Sequence, residues 1–140
     1  MSQEFEDRCT AKLEYGENLF EIKHFFHSLE DERAGIPYNC TFSMKVLSDG
    51  FSGEASGCEC DHKDIKELAE QLRALIDFKT DEAVFRELDY NSEIHFKGDG
   101  LGHITVSGIL YGYLGHQFLN FSFETDQTVF PAFISDLEKL

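Results

Sequence analysis

The sequence is poor in basic residues, with 12 Lys and Arg against 27 Asp and Glu and a net charge of −15. Nucleic acid and anionic membrane surfaces attract basic patches, so direct binding to either is not the expected role. Long apolar runs are also missing: nothing approaches the ~20 consecutive apolar residues that span a bilayer. The opening stretch Met1-Ser2-Gln3-Glu4-Phe5-Glu6-Asp7 has neither the basic start nor the apolar run of a secretory signal. Only four cysteines are present, Cys9, Cys40, Cys58 and Cys60. Without an export signal they do not make a disulfide scaffold and read as reduced thiols of a cytoplasmic protein. Cys9 and Cys40 fit as small apolar fillers.

What is present is substantial apolar content, 41% of residues with 14 Phe. A disordered acidic tail cannot bury enough surface to offset its ordering entropy, and this composition lies well outside that class. The 140 residues suit a single domain, 1–140, that buries roughly two-thirds of its unfolded surface.

Along the chain, Cys9 to Tyr15 and Leu19 to His27 read as strands around a Gly16-Glu17-Asn18 turn. Phe20, Ile22, His24 and Phe26 are expected on one face, with Phe25 on the other. Glu30 to Gly35 reads as a charged loop closed by Pro37. Tyr38 to Leu47 and Phe51 to Cys60 form a hairpin about Ser48-Asp49-Gly50. Gly53, Ala55 and Gly57 in its second arm suggest a bulge or close packing. Asp61 is placed to cap a helix whose apolar stripe is Ile65, Leu68, Ala69, Leu72, Leu75 and Ile76. For Phe78 to Asn91 the pattern leaves a short helix or a packed loop open. Glu93 to Lys97, His103 to Tyr111 and Phe118 to Glu124 read as further strands. A last helix is capped by Thr125 or Asp126, with Pro131 in its first turn and Val129, Phe130, Phe133, Ile134, Leu137 and Leu140 as its stripe. The expected fold is α+β: a mainly antiparallel β-sheet of hairpins with two amphipathic helices, about 62–77 and 127–140, packed on it.

Few residues offer chemistry. Cys58-x-Cys60-x-His62 is the sharpest metal candidate, with His95, His103 or Cys40 to complete a set. Thiol ligands usually have a gap of at least two residues between them, however, and no second pair exists. Gly98-Asp99-Gly100-Leu101-Gly102 resembles a phosphate cradle only superficially, since a strand follows it and it lacks Lys; a hairpin turn is expected. His103 and Asp99 are spaced as an acid–base pair, but no Ser or Cys stands in a nucleophile setting. No catalytic residue and no cofactor is therefore expected. Net charge is −5 over residues 1–34, −2 over 35–60, −5 over 61–100 and −3 over 101–140. The densest runs are Glu30-Asp31-Glu32 and Asp77 through Asp89. Such runs keep a protein soluble, yet −15 exceeds the ~2–8 that solubility asks of a small domain. Steering toward a basic partner is the functional reading.

The run Gly102-His103-Ile104-Thr105-Val106-Ser107-Gly108, followed by Leu119-Asn120-Phe121-Ser122-Phe123-Glu124-Thr125-Asp126-Gln127-Thr128, resembles WapI-type immunity proteins of bacterial polymorphic (contact-dependent) toxin systems. There a G-x-I-x-V-x-G strand precedes an aromatic strand ending in D-Q-T and a terminal helix. Phe51-Ser52-Gly53, leading into Asp61 and its helix, also fits, so the likeness covers about residues 38–140. It implies a non-enzymatic antitoxin that binds and blocks a cognate toxin domain, such domains often being nucleases with basic sites. The expected contact residues are Asp77, Asp81, Glu82, Glu87 and Asp89, then Glu30, Asp31 and Glu32. A small-ligand or metal-binding module centred on Cys58, Cys60 and His62 is the alternative.

Overall fold

The computed structural model describes residues 9–140. Two four-stranded antiparallel sheets, each a meander in chain order, form its frame. The first contains β1 (Ala11–Tyr15), β2 (Asn18–His27), β3 (Cys40–Ser48) and β4 (Phe51–Cys60). The second contains β5 (Glu82–Arg86), β6 (Glu93–Gly98), β7 (His103–Tyr111) and β8 (Phe118–Asp126). A short α1 (Leu29–Arg33) lies between β2 and β3, α2 (His62–Ile76) links the sheets, and α3 (Phe130–Glu138) follows β8. The α+β class with antiparallel hairpins and two amphipathic helices is observed. The strands divide into two sheets, and Leu29–Arg33 is a helical turn where a loop was expected. Among the described residues no helix is long and apolar enough to cross a membrane.

Local chemistry explains the elements. The Asp61 carboxylate accepts from the Lys63 amide, and one face of α2 is buried at Ile65, Leu68, Ala69, Leu72 and Leu75. Asp126 accepts from Thr128, which starts a 3-10 turn (Gln127–Val129) that runs into α3, with Pro131 in its first turn. Helix α2 packs against α3 and β5, and α3 packs against β1. The sheets approach each other where β3 and β4 meet β7 and β8. Ser48 there donates to the Ser122 carbonyl at 3.1 Å.

Two expectations need correction. In β2, His24 takes a left-handed backbone (φ 56°), and pairing with β3 slips between Lys23 and Phe26. This bulge reverses the alternation, so Phe25 is buried and Phe26 is 64% exposed. Residues 82–86, left open as helix or loop, form β5, with Ala83 and Phe85 buried at period two. The free edge of β5 is covered by α2, whose Gln71 Oε1 accepts from the Val84 amide at 3.0 Å. A second bulge, between Phe42 and Met44 of β3 and opposite Gly57 (φ 73°), lies in β4 among the small residues that suggested one.

Gly108 stands in mid-β7, paired with Ile94 on one side and Phe121 on the other. Its φ is +151°, and a Cβ there would lie 2.0 Å from the Glu93 carbonyl oxygen. Backbone atoms on both strands would have to move. Gly108→Ala is expected to lose about 3 kcal/mol or to prevent folding, as strain and overpacking add. Urea denaturation followed by circular dichroism measures the loss.

Candidate functional site

Cys58 and Cys60 do alternate onto one side of β4, and that side is the core. Both are fully buried, opposite Phe42 and Cys40. The Cys58 thiol donates to the Ala55 carbonyl at 3.5 Å. Burial, followed by the nearby Glu87 carboxylate, pushes Cys58 up to about 12. Cys60 is also raised, first by its hydrogen bond with Cys40 and then by burial. These are neutral packing thiols, poor metal ligands because a metal needs the thiolate. The ligand group assembled around His62 contains no sulfur. It brings together His27 at the end of β2, Glu32 in α1 and His62 at the start of α2. Nothing in the sequence joins these three, since they come from separate elements.

The Gly98–Gly102 segment is a hairpin turn, as expected. Asp99 Oδ1 accepts from the Leu101 amide at 2.7 Å and the His103 amide at 3.1 Å, while Oδ2 pairs with His103 Nδ1 at 2.8 Å. The Leu101 amide, then the His103 ring, hold the Asp99 carboxyl below its usual range. The side chain thus occupies amides that a phosphate would require.

The acidic residues fall in distinct places. Asp77 is the C-cap of α2, and Phe78 beside it is 55% exposed in a left-handed conformation. Asp81 and Glu82 follow, both exposed. Glu82 Oε1 pairs with His95 Nδ1 at 3.0 Å, and that bond holds its carboxyl below the usual range. Phe78 and Asp81 border a cavity of about 380 Å³ between α2 and the β6–β7 turn, along with Leu75, Gly98, His103 and Gln127. Asp89 is exposed on the β5–β6 loop. Glu30, Asp31 and Glu32 form the first turn of α1, near His62 and therefore at the opposite end of α2 from Asp77. Fifteen residues of helix put roughly 22 Å between those ends. The two runs are separate patches.

Glu87 differs from the others. It is 1% exposed, and its carboxylate accepts from the Asp89 amide at 3.1 Å and the Tyr90 amide at 2.6 Å. It shapes the β5–β6 loop and offers no surface to a partner. Burial pushes its carboxyl above the ordinary 4.5 despite those bonds. The folded state therefore retains the Glu87 proton to higher pH than the unfolded chain does. Its contribution falls as pH rises from about 4.5 through the raised value and is level above it. The stability of wild type minus that of Glu87→Gln should follow that course in denaturation across pH 4–8. Glu87→Ala should lose about 2 kcal/mol at neutral pH, because two loop amides lose their acceptor.

No curated protein and no solved structure matches the chain. A family model, the immunity protein WapI-like family, matches residues 30–140. That span takes in all but the first residue of α1, then β3, β4, α2, the whole second sheet and α3. A match over most of the chain gives one assignment: this chain belongs to the WapI-like immunity protein family.

Proposed function

We propose that the chain is a non-enzymatic immunity protein that binds and neutralises a cognate toxin domain in the cytoplasm, by covering a basic surface such as that of a nuclease. Family membership supports the immunity role. The observation that carries the mode of binding is the exposed run from Asp77 to Glu82, in which three carboxylates lie within four positions of the exposed Phe78. An aromatic anchor bordered by charge suits an interface: the ring supplies desolvated contact area, and the carboxylates steer a basic partner and fix its register. Lys79 offsets only one of the three charges. Asp77 and Asp81 have no ion-pair partner among the described residues, so both remain available to a partner. Carboxylates spaced along such a rim would occupy the phosphate-binding positions of a nuclease and compete with its substrate. Glu30, Asp31 and Glu32 form the second candidate surface.

The test uses candidate toxin domains from the genes that adjoin the one for this chain, with binding followed by surface plasmon resonance at several salt concentrations. Association should slow steeply as salt rises. Reversing three charges together (Asp77→Lys, Asp81→Lys, Glu82→Lys) should weaken binding at least ~100-fold and flatten the salt dependence. Phe78→Ala should weaken it about tenfold, in line with loss of an interface aromatic. Wild-type affinity in the triple variant would remove this surface from the interface. Loss on reversing Glu30, Asp31 and Glu32 instead would move the contact to the far end of α2.

A further inference from the structure

We propose that His27, Glu32 and His62 form a binding site for a zinc-class divalent cation, at the opposite end of α2 from the Asp77–Glu82 surface. The donor atoms, one from each residue, lie within 4.8 Å of one another. His27 Nε2 is 2.7 Å from Glu32 Oε2, and His62 Nδ1 is 4.0 Å from the same oxygen. A tetrahedral ion with bonds of 2.0–2.1 Å sets its ligand atoms roughly 3.3 Å apart. The two separations bracket that value, so the three donor atoms lie close enough to share one ion.

The hydrogen bonding around His62 selects the atom that binds. Its Nε2 is 2.9 Å from the main-chain oxygen of Leu140. That oxygen can only accept, so Nε2 carries a proton, and in the neutral ring Nδ1 presents its lone pair. In that neutral ring Nδ1 faces the Glu32 carboxylate as one acceptor facing another, an arrangement that a metal ion resolves in competition with a proton. A backbone oxygen on the remote ring nitrogen is also how metal-bound histidines are oriented and made more basic. The rings of His27 and His62 stack at 3.8 Å with an interplanar angle of 7°. Metal–imidazole bonds lie in the ring plane, so loading the ion turns one ring out of this stack until both lone pairs converge. The histidine side chains are only 18% and 12% exposed, while Glu32 is 43% exposed. Solvent can thus supply a fourth ligand. Two imidazoles with one carboxylate suit zinc and its neighbours, whereas calcium and magnesium prefer all-oxygen sites. His95 makes a useful contrast: its two ring nitrogens pair separately with Glu82 and Glu93, on opposite sides of the ring, so no lone pairs converge.

The experiment uses tag-free protein stripped with a chelator and titrated with Zn²⁺ alone against a chromophoric competitor. One equivalent should bind with a dissociation constant of about 1 μM or tighter. X-ray absorption of the loaded wild type should show nitrogen and oxygen near 2.0 Å and no sulfur near 2.3 Å, a readout that needs no variant. His27→Ala and His62→Ala, each checked for folding by circular dichroism, should weaken binding at least ~100-fold, and Cys58→Ser should leave it unchanged. Well under one equivalent bound, a sulfur shell, or unaltered affinity in both folded histidine variants would overturn the assignment.

Discussion

The fold depends on a cluster of four phenylalanines that joins two sheets which share no strand. Phe20 from β2 meets Phe96 from β6 edge-on at 6.1 Å and Phe133 from α3 at 6.0 Å, while Phe96 meets Phe130 at 6.0 Å. All four side chains are fully buried. Backbone hydrogen bonding stabilises each meander internally but does little between them. Across the gap there are isolated links, such as the Leu88 amide to the Glu59 carbonyl at 2.9 Å. Burial of each ring contributes about 1.5–3 kcal/mol, and each edge-to-face pair adds about 0.5–1.5 kcal/mol. The cluster is the main reason the two halves hold one relative position.

Helix α2 takes its place from that core, and the charged surface follows from α2. Its buried stripe packs beside α3 and over β5, leaving both helix ends at the surface. One end carries Asp77 and Phe78; the other carries His62, with His27 and Glu32 beside it. The rigid core thus separates an acidic, aromatic-bearing ridge from a histidine pair. The cysteines that suggested metal chemistry take no part in either. They fill the layer under β4, where burial of Cys58, and the hydrogen bond with Cys40 followed by burial for Cys60, keep the thiols protonated.

Much of this was readable along the chain. The α2 stripe and the Asp61 and Asp126 caps are legible because capping and 3.6-residue periodicity act between near neighbours. The β3–β4 hairpin announces itself through alternation ending at Asp49-Gly50. Strand β5 does not, because five residues with Ala83 and Phe85 as its buried pair fit helix, loop or strand equally well. The β2 alternation misleads after Lys23, since a bulge at His24 leaves no mark in an aromatic run. Glu87 reads as one more surface charge in an acidic stretch, and only the fold turns it inward onto the amides of residues 89 and 90.

By itself, the sequence determined the class of fold, both long helices, most strands, the excess of negative charge and the resemblance that family membership upheld. These rest on composition and on patterns of a few residues. Tertiary structure alone decided that the strands divide into two sheets, that the two acidic runs lie at opposite ends of a helix, and that His62 faces His27 and Glu32 rather than Cys58 and Cys60. Each of those depends on contacts between distant segments. Where a side chain points across the core is set by the packing of Phe20, Phe96, Phe130 and Phe133, which no local pattern records.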